Sequence, residues 1–581
     1  MTKDRSILTD YVRQHWYYYL MAVALIILSN IAQASLPRVL GQFTDALLAG
    51  GIQYNMIIRY SLILALIGIV YNLLFGAGQF SVMRLGRKFE FAMRQSLFRK
   101  FATLSEHYFS RQGTGKLLSS MTNDVNSVRE SISNGVTMTT NAVFLFLSCV
   151  VMMLLSHIPL YLIGVSVLPM IGIPFLVVYF GPRIRTRSMS VQESLAVMTD
   201  SAEEQLRGIR VTKTFAIEST ANQRFGNTVD DIRDNQLHLV RMSSLFQAAV
   251  PFLGALSLVI SLLYGGYLAI RGEITIGNFI ALTLYLRIMS GPLQQIGNVI
   301  NMMQRSSASL DRVNRLLGEQ PDIRDDEHAQ PLAASPDLEL KGLTFSYPGS
   351  DRPALSDIHL KIASGQTVGI VGKTGSGKTT LVKLLLRIYD PPKCTVLLGG
   401  TDVRRISIKS LRSRIAYVPQ DGFLFSTTIR DNIAFSDRSI PLEKVENHAR
   451  QAMIYEPIVR FPDRFDTKLG ERGITLSGGQ RQRTSLARGL AKTGPILILD
   501  DSMSAVDAVT ETGILANLAQ ERKARTTLII SHRISAVKQA DHIVVLDQGT
   551  VAEQGSHEQL LQQRGIYASM YQLQEEGLYA E

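Results

Sequence analysis

Residues 369–389 read GIVGKTGSGKTTLVKLLLRIY, which is an apolar stretch, a glycine-rich turn and a helical pattern. The turn holds the complete spacing G-x-x-x-x-G-K-[ST], from Gly372 to Thr379. Glycines let backbone N–H groups turn inward around a phosphate, and a helix that starts there directs its positive end at the same point. Strand, glycine loop and helix in this order predict an α/β domain of the P-loop type that binds ATP.

The residues of this loop have separate expected roles. Lys378 is expected to place its ammonium on the β and γ oxygens of ATP, and Thr379 to offer its hydroxyl to Mg²⁺. LELKGLTFSY (338–347) and HLKIASGQTVGIVG (359–372) predict the strands that lead into the loop. The predicted nucleotide-binding residues of the loop are Gly372, Thr374, Gly375, Ser376, Gly377, Lys378, Thr379 and Thr380.

Most long apolar runs lie before about residue 305, in a chain of 581 residues that is 46% hydrophobic. Six runs have the roughly 20 residues needed to cross a hydrocarbon core, and none contains Asp or Glu. Buried helices of a soluble protein would not account for so many runs of this length, so we predict six membrane spans. The runs cover residues 17–37, 60–81, 136–156, 159–181, 246–270 and 275–300.

The positions of Lys and Arg predict the orientation. Nine lie between the second and third runs and nine between the fourth and fifth, while the other connections are short and nearly uncharged. Basic segments stay on the cytoplasmic side, so both termini are expected there as well. The net charge of +11 then needs no nucleic acid as partner. Helical periodicity in both basic segments predicts extensions of the spans into the cytoplasm, each broken near its middle, at 108–117 and 207–215.

Residues 319–337 mix proline, charge and small polar residues without apolar periodicity, which is typical of a linker. The predicted organisation is therefore a transmembrane domain at 1–318, a linker at 319–337 and a nucleotide-binding domain at 338–581. The fold class is an α-helical six-span membrane domain fused to an α/β P-loop ATPase domain.

Three further motifs follow the glycine loop: LSGGQRQR (476–483), preceded by TKLGERG (467–473), then ILILDD (496–501) and LIISHR (528–533). With six spans before them, they make the whole chain resemble the half-transporters of the ATP-binding cassette (ABC) exporters. The resemblance implies that ATP lies between the glycine loop of one domain and the LSGGQ signature of another. A second half-transporter is therefore expected as partner.

The resemblance also assigns residues. Tyr347 matches the aromatic residue that stacks on adenine, Gln420 the glutamine that approaches Mg²⁺, and His532 the histidine that contacts the γ-phosphate. Residues 504–507 match the loop that crosses the dimer interface, which we call the interface loop. Gly113 and Val211 lie in stretches similar to the family's two coupling helices. The signature residues expected at the partner's ATP are Ser477, Gly478, Gly479 and Gln480.

Two adjacent carboxylates end the ILILDD stretch. Asp500 is placed to hold Mg²⁺, together with Thr379 and Gln420. The family usually has glutamate at the next position, to polarise the attacking water, but this chain has Asp501. Its carboxylate is withdrawn by about 1.5 Å on a fixed backbone, an error that can cost roughly 100-fold in rate. Beside an intact signature, this resembles one half of the heterodimeric bacterial multidrug exporters, whose own site is degenerate. A homodimer that hydrolyses slowly through Asp501 is the alternative.

Arg287 lies about 12 residues into the sixth run, where a charge usually faces a protein interior or a watery cavity. A substrate-cavity role and a structural role are both open for it. The expected function is ATP-driven export of amphiphilic compounds across a bacterial cytoplasmic membrane, in contact with membrane lipid. A homodimeric exporter or lipid flippase, or an ATP-gated regulatory protein, is the alternative.

Overall fold

The computed structural model of the chain describes residues 7–50, 53–334, 336–470, 473, 476–522 and 525–578. Ser335 of the expected linker and residues 471, 472, 474 and 475 near the signature lie outside this part. The chain divides into two compact units, Met1–Thr103 with Ser110–Glu319, and Leu104–Phe109 with Gln320–Glu581. We call them the helical unit and the α/β unit and describe each separately.

The helical unit contains six helices that are long and apolar enough to cross a membrane, as the sequence predicts. The helices are longer than the apolar runs: the second has 48 residues, which is about 72 Å at 1.5 Å per residue, against a hydrocarbon core of about 30 Å. Hydropathy marks only the part of each helix that lies in lipid. Spans 1 to 6 are Trp16–Leu48, Tyr54–Phe101, Thr114–Leu155, Leu160–Arg207, Glu218–Ile270 and Ile276–Gly318.

Two spans contain π-helical turns, and short helices lie at both breaks in the basic segments. The short helices of this part of the chain are Ile7–Gln14, Glu106–Gln112 and Ile209–Thr214. Span 3 consists of Thr114–Ser119, the π turn Ser120–Asp124, Val125–Glu130, the π turn Ser131–Gly135 and Val136–Leu155. Span 5 consists of Glu218–Ile260, the π turn Ser261–Gly265 and Gly266–Ile270.

Span 1 packs against spans 2, 3 and 6, and spans 4 and 5 pack against each other. Gly41 and Gly277 let spans 1 and 6 approach closely, because a Cβ atom on Gly41 would lie 2.6 Å from the Gly277 carbonyl oxygen. Asp45 Oδ1 accepts a hydrogen bond from the Gly277 N–H at 2.7 Å. Arg312 of span 6 donates to Asp124 of span 3, with Nε 3.0 Å from Oδ2. These contacts hold span 6 against both neighbours.

The α/β unit contains two sheets. A mixed sheet has the order β10-β9-β3-β8-β7-β6, in which β9, β3, β8, β7 and β6 are parallel, and an antiparallel sheet has the order β2-β1-β4-β5. The carboxyl ends of parallel strands meet at one sheet edge, so β3, β8, β7 and β6 bring their following loops together. The strands are β1 Leu338–Phe345, β2 Leu355–Ile362, β3 Thr367–Val371, β4 Val396–Leu398, β5 Thr401–Asp402, β6 Ile415–Val418, β7 Ile496–Asp500, β8 Thr526–Ile530, β9 His542–Asp547 and β10 Thr550–Gly555.

Helices cover the sheets and carry the motifs at their ends. We name three of them: the loop helix Lys378–Leu385, the signature helix Gly478–Ala491 and the C-terminal helix Ile566–Leu578. Every residue of β3, β7 and β8 is buried, as expected for central strands covered on both faces. The other helices are Val403–Arg405, Ile408–Arg414, Ile429–Ile433, Leu442–Gln451, Tyr455–Val459, Arg464–Asp466, Ala508–Arg522, Ile534–Val537 and His557–Gln563.

Candidate nucleotide site

The glycine loop joins the buried strand β3 to the loop helix, and its backbone needs glycine. Gly372 has φ 153°, Gly375 has φ 84° and Gly377 has φ 100°. A Cβ atom on Gly377 would lie 2.6 Å from Leu355 Cδ2, so a side chain there would be strained and would also collide. Thr374 and Gly375 are exposed at the tip, while Ser376 is buried. The loop thus forms a narrow cradle of backbone at the amino end of a helix.

Lys378 is buried at the start of the loop helix and its ammonium lies over the cradle. Nζ donates to the carbonyl oxygens of Gly372 at 2.7 Å and Lys373 at 2.8 Å. Burial lowers its pKa, against the opposing charges of Asp501 and Asp500. A cation over inward-turned glycine backbone fits the phosphates of ATP, which would bring the negative charge that such a site stabilises.

Tyr347 stands beside the loop helix, just after β1. Its hydroxyl pairs with Thr380 Oγ1 at 3.0 Å, and its ring meets the Tyr389 ring edge to face at 5.1 Å. Thr380 is itself buried and follows Thr379, which lies half-buried in the first turn of the helix. The structure therefore brings the expected adenine-stacking tyrosine to the same helix end as the glycine loop.

Asp500 ends β7 and is almost completely buried, with 1% of its surface exposed. Its Oδ2 accepts a hydrogen bond from the Tyr417 hydroxyl at 3.3 Å. Burial raises the pKa of Asp500, and the neighbouring Asp501 charge adds to this. A divalent cation at this place would relieve the buried charge. Sequence reasoning missed Tyr417, which reaches Asp500 only because β6 pairs with β7.

Asp501 has a left-handed backbone, with φ 44°, and 7% of its surface is exposed. Its Oδ2 accepts a hydrogen bond from Gln420 Nε2 at 3.3 Å, so the structure brings these two predicted residues together. Its N–H donates to the Ile530 carbonyl at 2.8 Å. Its own carbonyl accepts from Gln482 Nε2 at 3.0 Å and from Ser504 Oγ at 3.1 Å. The backbone of Asp501 is thus held on both sides.

Gln482 is a site residue that the motif reading did not single out. It is 4% exposed, and besides the Asp501 carbonyl it contacts the interface loop, where Oε1 accepts from the Ala505 N–H at 2.8 Å. A sequence signal did exist, because Gln482 shares the buried helix face of Leu486 and Gly489, at intervals of four and three residues. The side chain ties the signature helix to the turn after β7.

The signature residues form the amino end of the signature helix. Ser477 is its N-cap: Oγ accepts from the Gln480 N–H at 3.3 Å, and Gln480 Oε1 accepts from the Ser477 N–H at 3.0 Å. Ser477 and Gly478 are exposed, and a Cβ atom on Gly479 would lie 2.9 Å from the Ala505 carbonyl oxygen. The positive end of a 14-residue helix is therefore presented at the surface, where a phosphate held by another chain could bind.

The predicted Mg²⁺ donors Thr379, Gln420 and Asp500 lie on the loop helix, after β6 and at the end of β7. Among the described residues there is no group of three or more His, Cys, Asp or Glu that could hold a metal ion. A hydroxyl, an amide and one carboxylate suit Mg²⁺, which binds through few protein ligands, substrate phosphates and water.

Arg287 lies on an exposed face of span 6 and forms no ion pair with any residue that the structure describes. Other polar residues follow it on this face at helical spacing: Gln295, Asn298, Asn301 and Arg305 are all exposed. The opposite face of span 6 lines an apolar cavity of about 520 Å³ between spans 3, 4 and 6. The polar row was not predicted beyond Arg287. Side chains around the cavity include Phe146, Met170, Pro174, Leu293, Ile296 and Ile300.

A glycine loop with a buried lysine, a buried aspartate at the end of β7 in the same sheet and an exposed signature helix define an ATPase domain of the P-loop class. Six helices of the same chain are long and apolar enough to cross a membrane, and an ATPase domain joined to such helices is the arrangement of an ATPase-coupled membrane transporter.

Comparisons with known proteins identify the family. The family model of the ABC transporter transmembrane region matches residues 19–293, and the model described as ABC transporter matches residues 355–504. A probable multidrug resistance ABC transporter ATP-binding/permease protein of Bacillus subtilis, YheI, is 34% identical over 572 residues, covering 97% of this chain and 96% of that protein. The chain belongs to the ABC transporter family and is an exporter with transmembrane and ATP-binding domains.

Two other proteins are similar to the chain, one in sequence and one in its solved structure. An ATP-dependent lipid A-core flippase of Syntrophus aciditrophicus is 35% identical over 491 residues, covering 84% of this chain and 81% of that protein. The solved structure of a bacterial Atm1-family ABC exporter with ATP bound has a TM-score of 0.78 at 27% identity, covering 96% of this chain and 99% of that chain. The similar proteins thus include both multidrug and lipid transporters.

Proposed function

We propose that the chain is one subunit of a heterodimeric exporter of amphiphilic compounds, and that ATP bound at its own glycine loop turns over slowly. The observation that carries the proposal is Asp501. Its main chain is fixed by hydrogen bonds to Ile530, Gln482 and Ser504, so the backbone cannot advance to make up for the missing methylene. Its carboxylate is in addition engaged by Gln420.

The signature supports the second half of the proposal. Ser477 to Gln480 keep an intact capping box and an exposed helix end, which favours a working contact with ATP held by another chain. This chain has a catalytic carboxylate that is one methylene shorter than glutamate, and an intact signature. It is therefore suited to pair with a chain that supplies a glutamate as the general base. The partner proposed here is therefore a different half-transporter, with glutamate after its strand aspartate and an altered signature.

The proposed substrate class is supported by the similar proteins, which include a probable multidrug resistance transporter and a lipid A-core flippase. Span 6 carries an exposed polar row that starts at Arg287, and its opposite face lines the apolar cavity of about 520 Å³. The polar row is the proposed contact for the polar part of an amphiphilic compound. The likeness to a lipid A-core flippase favours lipid flipping as the second candidate function.

We propose that Mg²⁺ binds with ATP, held by Thr379, Asp500 and Gln420. Both termini are proposed to lie in the cytoplasm, because the basic segments between spans 2 and 3 and between spans 4 and 5 favour that side. Membrane lipid surrounds the spans in this arrangement.

The test compares Asp501→Asn with Ser477→Arg in the assembled dimer. Asp501→Asn should leave most ATP turnover intact, because the competent site uses the partner chain's base. Ser477→Arg puts a bulky charge at the helix end that completes the competent site, and should lower phosphate release at saturating Mg-ATP at least tenfold, in line with contributions of about 100-fold or more from single catalytic groups.

The matched control is Ser413→Arg, since Ser413 is an exposed serine on another helix of the α/β unit. It should leave phosphate release unchanged. Equal losses from Asp501→Asn and Ser477→Arg would contradict the proposal and would favour a homodimer in which Asp501 is the working base of both sites.

A further inference from the structure

The main chain around His532 is held by a side chain from the C-terminal helix. Gln574 Nε2 donates to the His532 carbonyl at 2.8 Å, and Gln574 Oε1 accepts from the Ile534 N–H at 2.9 Å. One amide thus bridges two backbone groups on either side of Arg533. Gln574 lies 42 residues after His532 in the chain, so this contact exists only in the folded domain.

The imidazole of His532 makes no hydrogen bond to any residue that the structure describes. Its position relative to bound ATP therefore depends on where the main chain of residues 532–534 lies. On the β8 side this segment is fixed by the Ser531 N–H, which donates to the Ile370 carbonyl at 3.1 Å. On the other side Gln574 is the contact that fixes the His532 carbonyl.

The C-terminal helix has its own anchors and does not need Gln574 to stay docked. The Tyr567 N–H donates to Glu553 Oε2 at 3.0 Å, which places a carboxylate at the helix amino end. The Tyr567 ring is fully buried, and its hydroxyl pairs with His557 Nδ1 at 2.7 Å. A change at Gln574, eight residues from the start of the helix, should therefore leave the helix in place.

Arg533 connects the same segment to the interface loop. Its guanidinium donates to the carbonyls of Ser504 at 3.1 Å and Val506 at 2.9 Å. It also pairs with Glu511, at 2.6 Å between Nη1 and Oε2, and this carboxylate is only 2% exposed. Displacement of the His532 segment would thus pull on the loop that faces the second chain.

We propose that Gln574 is a positioning residue for His532. It holds the His532 main chain so that the imidazole contacts the γ-phosphate. Arg533, the next residue, couples any shift of this segment to the interface loop through its hydrogen bonds to the carbonyls of Ser504 and Val506. The C-terminal helix is then part of the mechanism that distinguishes ATP from ADP. The inference rests on His532 being the γ-phosphate contact of the proposed site, and does not depend on whether the partner is a second chain or a copy.

The test measures nucleotide preference at this chain's own glycine loop. Full-length dimers are photolabelled with azido-ATP, the label is mapped to this chain, and ADP and ATP are compared as competitors. Gln574→Leu keeps the approximate volume and removes both hydrogen bonds. It should reduce the preference for ATP over ADP by about 5- to 30-fold, the effect of losing two neutral hydrogen bonds. Gln574→Glu keeps the acceptor for Ile534 and loses the donor, and should give an intermediate reduction.

The decisive comparison repeats Gln574→Leu in a His532→Ala background. If Gln574 acts through His532, the substitution should then change the preference by less than about twofold, because coupled residues are non-additive. Gln572→Leu is the matched control, since Gln572 is exposed on the same helix and its hydrogen bond goes to Glu576, away from the His532 segment. The Gln572→Leu dimer should match the unsubstituted dimer in its preference for ATP over ADP and in its melting temperature.

Two outcomes would overturn the inference: an unchanged ATP preference in Gln574→Leu, or an equal loss with and without His532, which would mark a merely structural role. Neither depends on turnover. A failure of the heterodimer proposal, which shows in phosphate release, is thereby distinguishable from a failure of this one.

Discussion

Asp501→Glu measures whether the reach of one carboxylate limits ATP hydrolysis at this chain's own site. The added methylene advances the carboxylate by about 1.5 Å. Because hydrogen bonds to Ile530, Gln482 and Ser504 fix the Asp501 backbone, that displacement should reach the bound nucleotide undiminished. A positioning error of this size costs about 100-fold in rate, or about 2.7 kcal/mol. The left-handed backbone of residue 501, at φ 44°, opposes the substitution, because aspartate adopts it more readily than glutamate. The resulting loss of folding stability is at most about 1–2 kcal/mol.

The assay uses dimers made of this chain alone, reconstituted at high protein-to-lipid ratio, because each of their sites then has the intact signature Ser477 to Gln480. Phosphate release at saturating Mg-ATP should rise about 100-fold on Asp501→Glu. In the assembly with a different partner, the same change should raise release less than twofold, because the competent site already sets the rate. A rise of less than about fivefold in the dimers of this chain alone would refute the argument from reach.

Two further substitutions test other parts of the site. Lys378→Ala removes the buried ammonium over the glycine loop and should weaken ATP binding at this chain's own site by tenfold or more, which photolabelling with azido-ATP would measure; unchanged affinity would overturn the assignment of the loop. If the proposed cavity role of the exposed Arg287 holds, Arg287→Ala should lower substrate-stimulated ATPase activity by several-fold while basal activity changes less than twofold. Equal effects on both activities would favour a structural role.

Several site contacts could not be read from the motifs. Tyr417 lies 83 residues from Asp500 and Gln482 lies 19 residues from Asp501. Tyr417 meets Asp500 because β6 pairs with β7, and Gln482 because the signature helix packs under the turn after β7. Strand order in a parallel sheet is set by how the crossover helices pack, so no local pattern of residues records it.

The sequence by itself determined the six spans and the glycine loop, because both depend on local physics. A segment in lipid must satisfy its own backbone hydrogen bonds and is therefore helical, and the cost of polar side chains in hydrocarbon makes it a run of about 20 mainly apolar residues. A phosphate cradle likewise needs glycines at fixed neighbouring positions. Helical periodicity in the basic segments likewise predicted that spans such as Tyr54–Phe101 extend as helix beyond their apolar part. The tertiary structure alone decided that Tyr417 reaches Asp500. It also decided that Gln574 reaches His532 and that Gln482 fixes Asp501. Those contacts join residues whose only relation is that the folded sheet and its helices bring them within hydrogen-bonding distance.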